Sequence, residues 1–342
     1  MRRENKMDSF QNVTVLGDGA WGTALAMVLA GNGKNTILWG PFAENLRQIR
    51  EKRENKFLKG VAVPETILIE EDMANAVENA ELLVLASPSQ YMRGTLEKLK
   101  KCFDPSRHAL VNIAKGIEVG SLLSMSGICK EILGKDLQYC AISGPSHAEE
   151  VSRMMPTLVT LASADQDLAI KARDTFMNPY LRIYTSSDLT GVELGGALKN
   201  VYAVAAGIID GMGMGDNPKA ALMTRAIAEM TRLGVSLGGD ERTFAGLSGI
   251  GDLIVTCTSR HSRNRFVGEE LGKGRKIGEI TSEMGMTVAE GVKTAKSARD
   301  LAWKCGVETP IVNAVYDVIY KEKDPKDAVA ELMTRRAKPE NE

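Results

Sequence analysis

The first half of the chain alternates short, continuous apolar runs with longer stretches of helical spacing. The runs are Val13-Thr14-Val15-Leu16, Asn35-Thr36-Ile37-Leu38-Trp39, Leu82-Leu83-Val84-Leu85-Ala86, Ala109-Leu110-Val111-Asn112-Ile113-Ala114 and Tyr139-Cys140-Ala141-Ile142-Ser143. Four close on glycine, proline or serine and the run 109–114 on Lys115-Gly116, as buried strands do. Uninterrupted apolar strands separated by helices predict a parallel α/β sheet covered on both faces. Residues 157–161 and 181–184 are expected to extend it. Helices are expected over 23–30, stopping at Gly31, and from Glu44 to about Lys56. From Asp188 onward the texture changes. Residues 194–209, 220–233, 267–271, 292–303 and 312–320 are helical in period, with glycine-rich joints and no clear strand. The boundary is placed near Leu189, with a doubly wound domain over 1–189 and an all-helical domain over 190–342.

The turn after the first strand is Gly17-Asp18-Gly19-Ala20-Trp21-Gly22, followed by the apolar helix expected at 23–30. In a strand–turn–helix of this kind the first glycine permits the tight turn. The second lets backbone approach a pyrophosphate, and the third lets helix pack on sheet. The helix N-terminus then offers its N–H groups to phosphate. Gly17, Gly19 and Gly22 therefore predict a dinucleotide site, and the first domain is expected to be Rossmann-like.

Composition adds exclusions. Over 342 residues, Lys+Arg 43 against Asp+Glu 44 leaves a net charge of -1. No global field favours nucleic acid or an anionic membrane, so any anion must be held by locally placed cations. The five cysteines are scattered without C-x-x-C spacing, and with three histidines no metal site is expected. The charged residues 1–6 precede no apolar signal core, and the longest apolar run, 201–209, falls short of a bilayer. The expectation is a soluble cytoplasmic protein with no stable membrane insertion.

Ligands in open α/β sheets sit beyond the carboxyl ends of the strands. Lys115 and the turn Gly144-Pro145-Ser146-His147 fall at such ends. Lys199 lies in Gly195-Gly196-Ala197-Leu198-Lys199-Asn200-Val201, where most neighbours are small or apolar. A lysine there must reach solvent, pair with an acid, or lose affinity for its proton; the last makes a general acid/base near neutrality. The glycines one turn earlier would let another backbone or a ligand approach that face. Asp252 follows Gly249-Ile250-Gly251 and reads as a helix cap, a surface acid or a site residue. Ser262 reads as the N-cap of a helix carrying Arg263 and Asn264, a geometry that also suits phosphate. His147 is the rival proton carrier, since His108 precedes its strand and His261 sits in a basic loop.

Together with Leu38-Trp39-Gly40, Ala114-Lys115-Gly116 and Ser262-Arg263-Asn264-Arg265, these blocks resemble the bacterial NAD(P)-dependent glycerol-3-phosphate dehydrogenase family. The resemblance runs from about Val13 to Arg336. It implies reversible reduction of dihydroxyacetone phosphate to sn-glycerol 3-phosphate with NAD or NADP, feeding phospholipid synthesis, and usually a homodimer. Carried over by position, Lys199 matches the proton donor/acceptor, and Lys115 matches a residue touching both substrate and cofactor. Gly144, Ser146, Asp252, Ser262, Arg263 and Asn264 match substrate-binding positions. Ala20, Trp21, Ala148, Arg263, Val288 and Glu290 match cofactor-contacting positions. Two departures stand out. Asp18 puts an acid in the phosphate loop, which would weaken binding unless it points away. Pro41 replaces the basic residue that often follows Leu-Trp-Gly, leaving Arg47 or Arg50 for a 2′-phosphate, or Glu44 for the 2′-OH of NAD. The rival readings are a hydroxyacid dehydrogenase using His147 and a dinucleotide-binding sensor without turnover.

Overall fold

The structure, a computed structural model, describes residues 9–285 and 288–340. The charged N-terminal segment and the last two residues of the C-terminal tail lie outside the described residues. Strands β1 (Asn12–Leu16), β2 (Asn35–Trp39), β3 (Ile67–Glu70), β4 (Leu82–Leu85), β5 (Ala109–Asn112), β6 (Tyr139–Ser143), β7 (Thr157–Ala162) and β8 (Leu181–Ser186) form one sheet. Their order is β3-β2-β1-β4-β5-β6-β7-β8. Val15 lies opposite Leu38 on one side and Val84 on the other, all parallel. The chain therefore switches direction across β1 and β4, which opens a crevice over their carboxyl ends. Side chains alternate between two cores. Val13, Val15, Val84 and Val111 face one, and Leu16, Leu83, Leu85 and Leu110 face the other.

Three local features differ from the sequence expectation. β3, outside the expected strands, is an edge strand built on the short apolar run Ile67-Leu68-Ile69, and its Leu68 is 63% exposed. The helix expected to reach Lys56 is Ala43–Lys52, because Arg53 takes a left-handed conformation (φ 51°). β7 runs antiparallel to β6. Only the short helix Ala148–Val151 lies between those strands, so no full crossover brings the chain back to the other end of the sheet.

The central helix of the second core is Leu189–Gly211, which starts directly after β8. It is apolar enough in length and composition to cross a membrane, yet 94% of its apolar window is buried inside the protein. The helices Asp216–Ser236, Asp252–Thr258, Arg263–Gly272, Glu290–Cys305 and Pro310–Tyr320 supply most of the other side chains of that core. Glycine sets one of these contacts. A Cβ on Gly207 would lie 2.0 Å from the Arg265 carbonyl oxygen, and one on Gly268 would lie 2.0 Å from that of Val204. Only glycine lets the backbones approach so closely. This contact fixes the start of helix Arg263–Gly272 two turns along from Lys199.

Candidate active site

The glycine turn has the shape its spacing predicts. Gly17 has φ 144°, and a Cβ there would lie 2.6 Å from the Ala86 carbonyl carbon; one on Gly22 would lie 2.1 Å from the Gly17 oxygen. At Gly19 a Cβ would meet nothing within 4 Å, so open space lies above the loop where backbone can meet a ligand. Helix Ala20–Gly31 starts there with no side-chain cap on Gly19, leaving its first amides directed at the loop. Ala20 and Trp21 pack with Ala148 and Leu58 in one small cluster. This uncapped cradle fits the pyrophosphate of a dinucleotide.

Asp18 points away from the cradle. It is 2% exposed, and its carboxylate accepts from Asn45 Nδ2 at 2.8 Å. Asn55 Nδ2 donates to the Asp18 carbonyl at 2.9 Å and to Thr23 Oγ1 at 2.7 Å. Burial raises the Asp18 pKa, partly offset by the Asn45 hydrogen bond and the Lys56 charge. The acid thus serves as an internal tie between the loop and the helix after β2.

At the other end of the crevice, one carboxylate grips two ammonium groups. Asp252 Oδ1 accepts from Lys199 Nζ at 2.6 Å, and Oδ2 accepts from Lys115 Nζ at 2.6 Å. Lys115 also donates to the Gly144 carbonyl at 3.0 Å, and Lys199 to Thr256 Oγ1 at 2.7 Å. Asp252 is 1% exposed and Lys199 7%. Burial pulls the Lys199 pKa down to about 8; Asp252 opposes the shift and Lys115 adds to it. For Asp252 burial pushes upward, but the two ammonium groups outweigh it and the carboxyl stays below its ordinary range. With both lysines protonated the trio carries one net positive charge in a buried site, which attracts an anion.

Local structure explains these placements. Asp252 is the first residue of helix Asp252–Thr258, directly after a π-turn over Leu247–Gly251. Asp252 does not cap the helix with its side chain; the carboxylate is spent on the lysines. The glycines before Lys199 are indeed sites of close approach, but to protein. A Cβ on Gly195 would lie 2.6 Å from the Ser248 oxygen, and one on Gly196 would lie 2.5 Å from Ser143 Oγ. Thr256 and Asn200 were not singled out from sequence. Thr256 sits four residues after Asp252, on the same helix face, a spacing that offered a signal. Asn200 Nδ2 donates to the Lys115 carbonyl at 3.3 Å and joins the two lysine-bearing segments.

The remaining candidates surround this trio. Ser262 caps helix Arg263–Gly272, accepting from the Arg265 amide at 3.2 Å. Arg263 is exposed at the first helical position. Asn264 is largely engaged within the protein, donating to Asn200 Oδ1 at 2.8 Å and accepting from the Gly291 amide at 2.9 Å. Gly144 holds φ 141°, and its carbonyl also accepts from Ser146 Oγ at 2.9 Å. Glu290 Oε1 accepts from the Ser89 amide at 2.8 Å, latching helix Glu290–Cys305 to the segment after β4. Burial raises its pKa, with the Arg263 and Lys199 charges among the opposing influences. Val288 lies two residues before, half-buried. The His147 ring stands 5.9 Å from that of His261. Burial and the Lys199 charge both lower its pKa, with the Glu149, Asp252 and Glu150 charges opposing them. Arg50, a candidate for a 2′-phosphate, donates instead to Glu71 Oε1 at 3.0 Å and to the Ile69 carbonyl at 3.2 Å.

Comparison with known proteins agrees along most of the chain. Residues 12–169 match the family model described as NAD-dependent glycerol-3-phosphate dehydrogenase N-terminus, and residues 188–330 match its C-terminus counterpart. A glycerol-3-phosphate dehydrogenase [NAD(P)+] of Geobacillus kaustophilus is 49% identical over 333 residues, 96% of this chain and 96% of that protein. One of Chlorobium phaeobacteroides is 47% identical over 331 residues, 96% of this chain and 98% of that protein. The crystal structure of glycerol-3-phosphate dehydrogenase from Coxiella burnetii superposes with a TM-score of 0.91 at 34% identity, covering 95% of this chain and 99% of that one. The chain belongs to the NAD-dependent glycerol-3-phosphate dehydrogenase family.

Proposed function

We propose that this chain catalyses the reversible, NAD(P)H-dependent reduction of dihydroxyacetone phosphate to sn-glycerol 3-phosphate. The observation that carries the reading is the double grip of Asp252 on Lys199 and Lys115 at the carboxyl end of the sheet. When bound, the dinucleotide supplies or accepts the hydride. Hydride arrival at the carbonyl carbon moves an electron pair onto oxygen. Lys199, with its pKa near 8, gives that oxygen its proton, and Lys115 stabilises the developing charge. In the reverse direction neutral Lys199 removes the hydroxyl proton. Asp252 keeps both ammonium groups in place and prevents two like charges from standing unpaired in a buried site.

The substrate phosphate is assigned to the start of helix Arg263–Gly272, with Ser262, Arg263 and Asn264, where helix amides and a guanidinium converge. Gly144 and Ser146 border the substrate beside Lys115. Gly17, Gly19, Ala20, Trp21 and Gly22 take the pyrophosphate side of the cofactor, with Ala148, Val288, Glu290, Lys115 and Arg263 closing around it. The division of labour falls at about Leu189, with the dinucleotide domain over 1–189 and the helical substrate domain over 190–342. A cytoplasmic homodimer supplying glycerophospholipid synthesis completes the reading, supported by the family resemblance.

The test is oxidation of NADH and of NADPH, in parallel, with dihydroxyacetone phosphate as acceptor. Turnover with either is expected. Silence with both, in folded protein that still binds dinucleotide, would overturn the reaction.

A further inference from the structure

The end of β2 is where dinucleotide folds read the adenosine ribose, with an acid for a 2′-OH or a cation for a 2′-phosphate. Here β2 ends at Trp39 and the chain continues as Gly40-Pro41-Phe42, which carries no cation. Arg50 is turned toward Glu71 and the β3 backbone. A different segment brings a positive charge to this place. Asn55, 1% exposed, is tied to the Asp18 carbonyl and to Thr23 Oγ1. Those bonds pin the loop after Arg53 onto the glycine turn itself. The next residue, Lys56, places Nζ 5.9 Å from the centroid of the Phe42 ring and 5.0 Å from that of Phe57. Both lie within the range at which an ammonium is attracted to an aromatic face. Phe42 is 42% exposed and follows closely on the carboxyl end of β2 at Trp39, so this cation–aromatic group stands beside that strand end. The Lys56 charge also acts on Asp18 inside the turn.

We propose that Lys56, held between Phe42 and Phe57, is the residue by which this chain recognises the 2′-phosphate of NADPH. The inference rests on the dinucleotide reading above and deepens it. The buried Asp18–Asn45–Asn55 network acquires a purpose: it sets where the chain leaves the loop and hence where Lys56 stands. The two rings limit the orientations of a long side chain, so less freedom is lost when phosphate arrives. Glu44, exposed at the start of helix Ala43–Lys52, is the competing group, since it would favour the 2′-OH of NADH.

The test is titration calorimetry with 2′,5′-ADP and 5′-AMP, which differ only by the 2′-phosphate and need no turnover. One charge-assisted contact is worth roughly tenfold in affinity. The wild-type protein is expected to prefer 2′,5′-ADP by about that factor, and less so at high ionic strength. Lys56→Gln should erase the preference while leaving the 5′-AMP affinity in place, and Arg47→Gln and Arg50→Gln should retain it. Equal wild-type affinities, a preference that survives Lys56→Gln, or a Lys56→Gln protein weakened equally for both ligands would overturn the proposal. Those outcomes leave the dinucleotide reading standing. Failure of the wild-type protein to bind either ligand would remove that reading and this one together.

Discussion

The two ends of the crevice hold their ligand-facing groups by opposite means. At the β1 turn the donors are main-chain amides, and what matters about the side chains is their absence, at Gly17, Gly19 and Gly22. Around Lys199 the groups are charged side chains, drawn from β5's end, the central helix and the first residue of helix Asp252–Thr258. A backbone site tolerates change of charge but not of volume. A side-chain site tolerates neither loss of one charge nor loss of the partner that keeps it buried. Substitutions at the two ends should therefore fail in different ways.

The largest effect belongs to the charged end. Lys199→Met should lower kcat by about a thousandfold, the scale of a general acid/base contribution, while dinucleotide affinity stays near that of the parent. Steady-state kinetics and a binding titration separate the two. The pH dependence follows from burial holding Lys199 near 8. Ketone reduction needs the ammonium, so its rate should fall as pH rises through about 8. Alcohol oxidation needs the free amine, so its rate should rise there. In Lys199→Arg both limbs should vanish, because guanidinium keeps its proton throughout that range.

The cofactor end should break on volume. In Gly22→Val the added Cβ would lie 2.1 Å from the Gly17 oxygen, forcing the turn to move. Overpacking of this kind costs enough to weaken dinucleotide binding roughly ten- to a hundredfold, with Lys199 chemistry intact at saturating cofactor. Gly19→Ala sharpens the comparison. Its Cβ would meet nothing within 4 Å, so the protein should keep its melting temperature. A loss of NADH affinity there would report the approach of the ligand alone.

The same contrast decides what could be read from sequence. A cradle made of glycines and a helix start is local, and the strand, turn and helix that form it are contiguous. Lys199 was legible because a charge in an apolar helix demands an explanation. Asp252 was a candidate too, but its grip on both lysines was not legible, since it stands 53 residues from Lys199 and 137 from Lys115. Thr256 escaped for the same reason. The end of the helix at Lys52 depends on Arg53 turning left-handed, and on Asn55 binding Asp18 and Thr23, which no window of local pattern contains. β3 hid because an edge strand needs only one protected face.

Arg263→Gln tests the far side of the charged end. Arg263 is exposed and does not touch the Asp252 trio, so its loss should act on substrate binding. KM for dihydroxyacetone phosphate should rise about tenfold, the worth of one charge-assisted contact, with kcat little changed. A fall in kcat at constant KM would instead make Arg263 part of the reacting group.

The smallest effect is on stability, and it lies away from both ends. Glu229, 1% exposed, accepts from the Ile311 and Val312 amides at 2.9 and 3.0 Å and from Tyr202 Oη at 3.4 Å. It thereby caps helix Pro310–Tyr320 from another helix. Burial raises its pKa to about 7, against the two amides, the Arg232 charge and the Tyr202 hydroxyl. The folded protein therefore holds this proton up to about 7, whereas an unfolded chain releases it near 4.5. Between those values the native state binds more protons, so the stabilisation is complete below the lower value and lost as pH rises through the upper. Glu229→Gln keeps a side-chain acceptor for the helix but cannot titrate. The difference in melting temperature between the two proteins, followed from pH 5 to 8, should drift by a few degrees in favour of the glutamine as pH rises. Every other ionisable group is common to both proteins and cancels. A difference that stays flat across that range would mean Glu229 keeps its charge throughout, and kcat should be the same in either case.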